Sequence, residues 1–151
     1  MPTQQRATAD ALVDAFNRMD NDAIVSFRHP NCTRQVLPVS LKFPPQSNTA
    51  YRTNLDNMKK IFSSFKVDVH DVIEDVLAQK IVMFVTATGQ TRVGLYRNEY
   101  VWKMTFDGTG KAITDWVEFV DVGMARDFLP KLQAEMKKVQ EEERTDRAQH
   151  S

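Results

Sequence analysis

The spacing of apolar residues changes from helical to alternating at Lys66, and few architectures accommodate that change. Before it, Ala11, Leu12, Ala15, Phe16 and Met19 recur at helical spacing within Thr8 to Met19. A second short helix follows through Ala23, Ile24 and Phe27, with Asp20 or Asn21 as its cap, and His29-Pro30-Asn31 stops it. Cys32 to Leu37 reads as a short strand and Pro38 to Gln46 as a proline-bearing loop. Ser47 or Asn48 caps a third helix that turns Tyr51, Leu55, Met58, Ile61, Phe62 and Phe65 inward. Beyond Lys66 come four long strand candidates, Lys66 to Val76, Ile81 to Gly89, Tyr96 to Phe106 and Ala112 to Val122. Asp107-Gly-Thr-Gly110 is a hairpin turn, so the last two should be antiparallel neighbours. Helices first and strands afterwards predict an α+β fold, with a bent antiparallel sheet wrapped over the third helix around a pocket. A last helix should start near Asp127, with Pro130 in its first turn. Residues 1–140 then form one domain, and residues 141–151, rich in charge and without apolar periodicity, read as a solvated, disordered tail.

Within the last strand, Ile113-Thr-Asp-Trp-Val-Glu-Phe-Val-Asp121, alternation places Trp116, Glu118 and Val120 on one face. Asp115, Val117, Phe119 and Asp121 fall on the other, where Asp121 suits the cap of a following turn or helix. A carboxylate sharing a face with Trp and Val needs a partner or takes up a proton, and both cases bear on acid–base chemistry. A structural Glu held by a neighbouring Arg or Tyr gives the same pattern. Tyr96 and Tyr100 share a face with Trp102, Met104 and Phe106, so two phenols stand on an apolar wall as neutral hydrogen-bond donors, or as ordinary sheet aromatics. Arg34, between Cys32 and Val36, is a planar cation suited to orienting Glu118 or binding an oxyanion. Met83 and Met104 are candidates for shaping the pocket, and Tyr51 and Arg52 for reaching it.

The 20 basic and 20 acidic side chains cancel, which argues against a general nucleic-acid or anionic-membrane surface. One cysteine rules out an internal disulfide, and His29, His70 and His150 have no zinc spacing. No apolar run reaches the roughly 20 residues of a membrane span, and Met-Pro-Thr-Gln-Gln-Arg does not read as a signal peptide. A cytoplasmic, metal-free protein without a cofactor is the expectation.

Asp-Asn-Asp-Ala-Ile at the helix junction, His-Pro-Asn-Cys, a third helix and long strands ending in Trp-Val-Glu-Phe-Val-Asp resemble the SnoaL-like branch of the nuclear transport factor 2-like superfamily, over about Ala7 to Leu132. His29 to Pro38, Pro44-Pro45, Tyr96-Arg-Asn-Glu-Tyr100 and Val117 to Asp121 are similar to a fungal group of small cofactor-free proteins that rearrange meroterpenoid and indole-alkaloid intermediates. The resemblance implies a cone-shaped sheet against three helices, an apolar pocket for a polycyclic small molecule and a homodimer. It also implies a working set of Glu118, Arg34, Tyr96 and Tyr100, with Tyr51, Trp102, Met104, Trp116 and Met83 around the substrate. The expected activity is a cofactor-independent isomerase or cyclase of the meroterpenoid type. Semipinacol control and polyketide dehydration are alternatives within enzymes, and a non-catalytic binding module is the alternative outside them.

Overall fold

Caps written into the sequence start the first three helices. Thr3 accepts from Arg6 N at 3.1 Å, Asp20 from Ala23 N at 3.0 Å and Ser47 from Ala50 N at 3.2 Å, each satisfying an orphan amide of a first turn. The computed structural model describes residues 1–150. In it the helices are α1 (Gln4–Asn17), α2 (Asn21–Ser26) and α3 (Asn48–Lys59), with β1 (Arg28–Leu37) between the second and third. Strands β2 (Lys66–Asp75), β3 (Lys80–Thr91), β4 (Gly94–Phe106) and β5 (Ile113–Val120) follow, then α4 (Val122–Asp127) and α5 (Leu129–Gln149).

The sheet order is β1-β5-β4-β3-β2. The three junctions among β2 to β5 are antiparallel, as expected, but β1 runs parallel to β5, so the sheet is mixed. No tight turn joins β1 to β5, and their relative direction left no local mark in the sequence. β1 also starts four residues early, at Arg28, and carries its irregularity between Arg28 and Thr33, around Pro30. α3 ends at Lys59, so Ile61, Phe62 and Phe65 reach the core from the segment beyond it. Gly110, at φ 73°, closes the β4–β5 turn against α1, where a Cβ would lie 2.9 Å from Gln5 N and where Thr8 donates to its carbonyl at 2.7 Å.

The inner face of the sheet packs Ile81, Met83, Met104, Ile113 and Trp116 against Leu12, Phe16 and Ile24 of the first two helices. Asp121 caps α4 by accepting from Gly123 N and Met124 N. α4 and α5 cross the open end of the cone, and α5 continues to Gln149 instead of dissolving at residue 141. The segment remains solvated, but Glu, Arg, Gln and Ala are good helix formers and need no apolar stripe to extend an existing helix. Beyond Val139 it is tied to the body by the exposed Lys60–Glu143 pair at 2.8 Å. Truncation after Gln140 is therefore expected to lower Tm by about 4 °C at most, read by circular dichroism. A larger fall would show that the last turns hold the α5 cover in place.

Candidate active site

Glu118 stands where three strands converge. β4 places Trp102 beside it, β1 places Val36 beside it, and Trp116 and Arg34 are paired two positions earlier on the same inner face. Its side chain is 5 % exposed, and one oxygen is clamped: Oε1 accepts from Arg34 Nε at 2.5 Å and from Trp116 Nε1 at 3.1 Å. Among the described residues Oε2 has no hydrogen-bond partner.

Arg34 is itself held by Gln46, whose Oε1 accepts from its guanidinium at 2.6 Å and whose backbone exchanges two 2.9 Å bonds with Arg34. Burial works against the Arg34 charge, but the Glu118 carboxylate more than reverses this and raises its pKa. The Tyr51 ring lies under two cations, 4.1 Å from Arg28 and 5.1 Å from Arg34. Burial pushes the Tyr51 phenol up, and the two arginines pull it partly back.

Tyr96 and Tyr100, four residues apart on β4, are hydrogen-bonded hydroxyl to hydroxyl. Asn98, between them on the same face, donates from Nδ2 to the Tyr96 oxygen at 3.0 Å and accepts from Asp121 N at 3.3 Å. Burial raises both phenols. Bonds from Tyr100 and Asn98 draw Tyr96 back, while Tyr100 stays well above its ordinary value.

Two chambers meet at this cluster. The inner one, about 80 Å³, is walled by Phe16, Tyr51, Phe62, Phe65, Trp102 and Trp116. The outer one, about 160 Å³, lies under α4 and α5 among Val36, Phe43, Tyr96, Met124, Leu132 and Met136. Arg34, Asn54, Met58, Tyr100 and Glu118 line both. The Trp102 indole N–H, on a residue lining the inner chamber, is buried without an acceptor among the described residues. A donor left unpaired in this way costs about 1–3 kcal/mol.

Of the residues expected at the site, Glu118, Arg34, Tyr96, Tyr100, Tyr51, Trp102 and Trp116 are brought together. Met83 and Met104 are not: each is 0 % exposed and lines neither chamber, because their register positions opposite Trp102 and Trp116 put them in the packed core behind the tryptophans. Arg52 turns outward to Asp22 and Asp56, at 2.6 and 3.0 Å. His70 bonds Thr86 on the outer side of the site, and Cys32 is packed at 1 % exposure. Asn98, Gln46 and Arg28 were missed. Alternation through Tyr96 and Tyr100 does point to Asn98; Gln46 sits in a loop and Arg28 at a helix end, and neither has a periodic signal.

A curved sheet closed over helices, with a buried Arg–Glu pair and tyrosines facing an apolar chamber, defines a SnoaL-like pocket protein. A SnoaL-like polyketide cyclase from Shewanella denitrificans has the same fold, with a TM-score of 0.69 at 11% identity over 84% of this chain and 97% of its own. Among curated proteins, the core atranone cluster protein 11 of Stachybotrys chlorohalonatus is 33% identical over 131 residues, 87% of this chain and 98% of its own length. The chain belongs to the fungal biosynthetic-cluster group of the SnoaL-like family. The BvnE pinacolase structure from Penicillium brevicompactum matches with a TM-score of 0.80 and 28% identity, over 87% of this chain and 91% of its own. The protein named monooxygenase AacuP of Aspergillus aculeatus is 27% identical over 88% of this chain and 92% of its own. No family model matches the chain. Among the described residues no helix is long and apolar enough to cross a membrane.

Proposed function

We propose that the protein is a cofactor-independent isomerase or cyclase that rearranges a polycyclic, meroterpenoid-type intermediate of fungal secondary metabolism. The observation that carries this reading is Glu118: a buried carboxylate in the lining of both chambers, with Oε1 fixed by Arg34 and Trp116 and Oε2 without a hydrogen-bond partner among the described residues. Such a group is positioned for proton transfer without being free to rotate. Glu118 Oε2 takes a proton from carbon or hydroxyl of the bound molecule. The electron pair released forms the new bond, Tyr100 hydrogen-bonds the oxygen where negative charge develops, and a proton returned elsewhere completes an isomer. A polycyclic molecule is too large for either chamber alone and would span both, past the residues that line the two, Asn54 and Met58 among them. An oxygen of that molecule near Trp102 satisfies the orphan indole donor.

A semipinacol migration, in which the carbon next to a C=O or C=N group gives up its hydroxyl proton and a substituent shifts to that group without loss of water, is the second reading, favoured by the likeness to BvnE pinacolase. Both predict a product with the mass of its precursor. The test is to delete the gene in its host, isolate the intermediate that accumulates and add purified protein without cofactor. Conversion to an isomer supports the proposal; a product enriched by one oxygen, or no conversion until a cofactor is supplied, overturns it. Loss of water instead identifies a dehydratase.

The reading includes a homodimer. Leu37, Phe119, Val101 and Phe84 form one cross-strand row on the outer sheet face, with Phe119 50 % and Phe84 40 % exposed. A second copy of the same face is the partner that such a self-complementary apolar row fits. Light scattering at micromolar concentration is expected to give twice the 17.3 kDa chain mass. A mass that stays at one chain in dilute and concentrated samples refutes the dimer.

A further inference from the structure

Between the two tyrosines, Asn98 is buried at 6 % exposure and its orientation is decided by its neighbours. The Asp121 backbone N–H, shared with the Glu99 carbonyl at 3.2 Å, is a donor that cannot reverse, and an amide NH2 facing it at 3.3 Å would set donor against donor, so the side-chain atom there is the oxygen. The amide nitrogen is then the atom 3.0 Å from the Tyr96 hydroxyl, and Tyr96 must accept there. A phenol has one hydrogen to give. Among the described residues Tyr96 has one acceptor for it, the Tyr100 oxygen. With that bond running from Tyr96 to Tyr100, the Tyr100 hydrogen has no protein acceptor and is left for the chambers that Tyr100 lines.

We propose that Asn98 is a positioning residue that sets the direction of a hydrogen-bond chain, from Asn98 through Tyr96 to Tyr100, so that Tyr100 presents its hydrogen to a carbonyl or alkoxide oxygen in the site. This rests on the role given to Tyr100 above. When negative charge grows on that oxygen, the Tyr100 proton moves to it and the Tyr96 proton moves to Tyr100. The phenolate then resides on Tyr96, where Asn98 and Tyr100 both donate to it. Hydrogen bonds from those two residues draw the Tyr96 phenol back while Tyr100 stays high, in agreement with charge settling on Tyr96. After product leaves, Tyr96 regains a proton from water and Glu118 releases the one it took, so the cycle balances.

The test uses acetophenone as the probe ketone and reads its carbonyl stretch when bound, without any turnover. In the wild-type protein the stretch is expected at lower wavenumber than in an apolar solvent, and Tyr100→Phe should abolish the shift. Asn98→Asp keeps the volume and the acceptor for Asp121 N, but a carboxylate can only accept, so Tyr96 turns to it, Tyr100 turns to Tyr96, and the shift is lost at neutral pH. It should return as the solution is acidified and the new carboxyl regains a donor. Asn98→Ala removes the donor to Tyr96 without supplying an acceptor, leaves the Tyr96–Tyr100 bond free to run either way, and should give a shift between those of the wild-type protein and Asn98→Asp. An anchoring role alone gives the opposite order, with Asn98→Ala the more damaged. A shift retained in Asn98→Asp, a shift in Asn98→Ala equal to wild type or smaller than in Asn98→Asp, or no saturable acetophenone binding by the wild-type protein each overturns the proposal. A failed isomerase assay leaves this result standing, so the two readings fail separately.

Discussion

Glu118→Gln is expected to keep the fold and to lose turnover by about 10²–10⁴-fold, the range that positioned acid–base groups supply. The amide oxygen can still accept from Arg34 and Trp116, as Oε1 does at 2.5 and 3.1 Å, so the side chain stays where it is. What disappears is the proton acceptor at Oε2, the oxygen with no hydrogen-bond partner among the described residues. The intermediate that accumulates in the deletion strain is the substrate, and product is followed by mass and chromatography alongside a circular-dichroism spectrum. Tyr100→Phe should cost less, because it removes one hydrogen bond and no proton acceptor. Full product formation by a well-folded Glu118→Gln protein would reject Glu118 as the acid–base group and return the pocket to a binding role.

Period alone carried much of the fold. The inner residues of β4 and β5 were legible because alternation allows only two faces, and Trp116, Glu118 and Val120 are buried together as that rule requires. The hairpin at Asp107 and the caps at Asp20, Ser47 and Asp121 were legible because turn and cap chemistry is local, whereas Thr3, which starts α1 four residues before Thr8, was missed. Pairings between distant segments were not. Nothing near Arg34 states that β1 lies parallel to β5, yet that register brings Arg34 to Glu118, 84 residues away in sequence. The resemblance, not periodicity, linked the two. Gln46 belongs to the same long-range class, joined to Arg34 by an isolated bridge from a loop. Met83 and Met104 show the reverse error. A side chain on the inner face can line a chamber or fill the core behind it, and alternation does not distinguish depth along the strand.

Arg34→Ala should be the most damaging single change in the site. It leaves a carboxylate of 5 % exposure without its cation, and breaking one half of a buried pair costs about 3–5 kcal/mol. For a domain of this size, with total stability of about 5–15 kcal/mol, that is a large share, and urea unfolding should show a midpoint far below wild type. Arg34→Lys keeps a charge but cannot reach Glu118 Oε1 and Gln46 Oε1 together, so it should recover stability better than turnover. The decisive comparison is the double variant. Removing both charges in Arg34→Ala/Glu118→Gln should be less destabilising than Arg34→Ala alone, because no buried ion is left without a partner. If the two substitutions add, or if Arg34→Ala unfolds at the wild-type urea midpoint, the pair does not hold Glu118 and the clamp on Oε1 is not what positions the site.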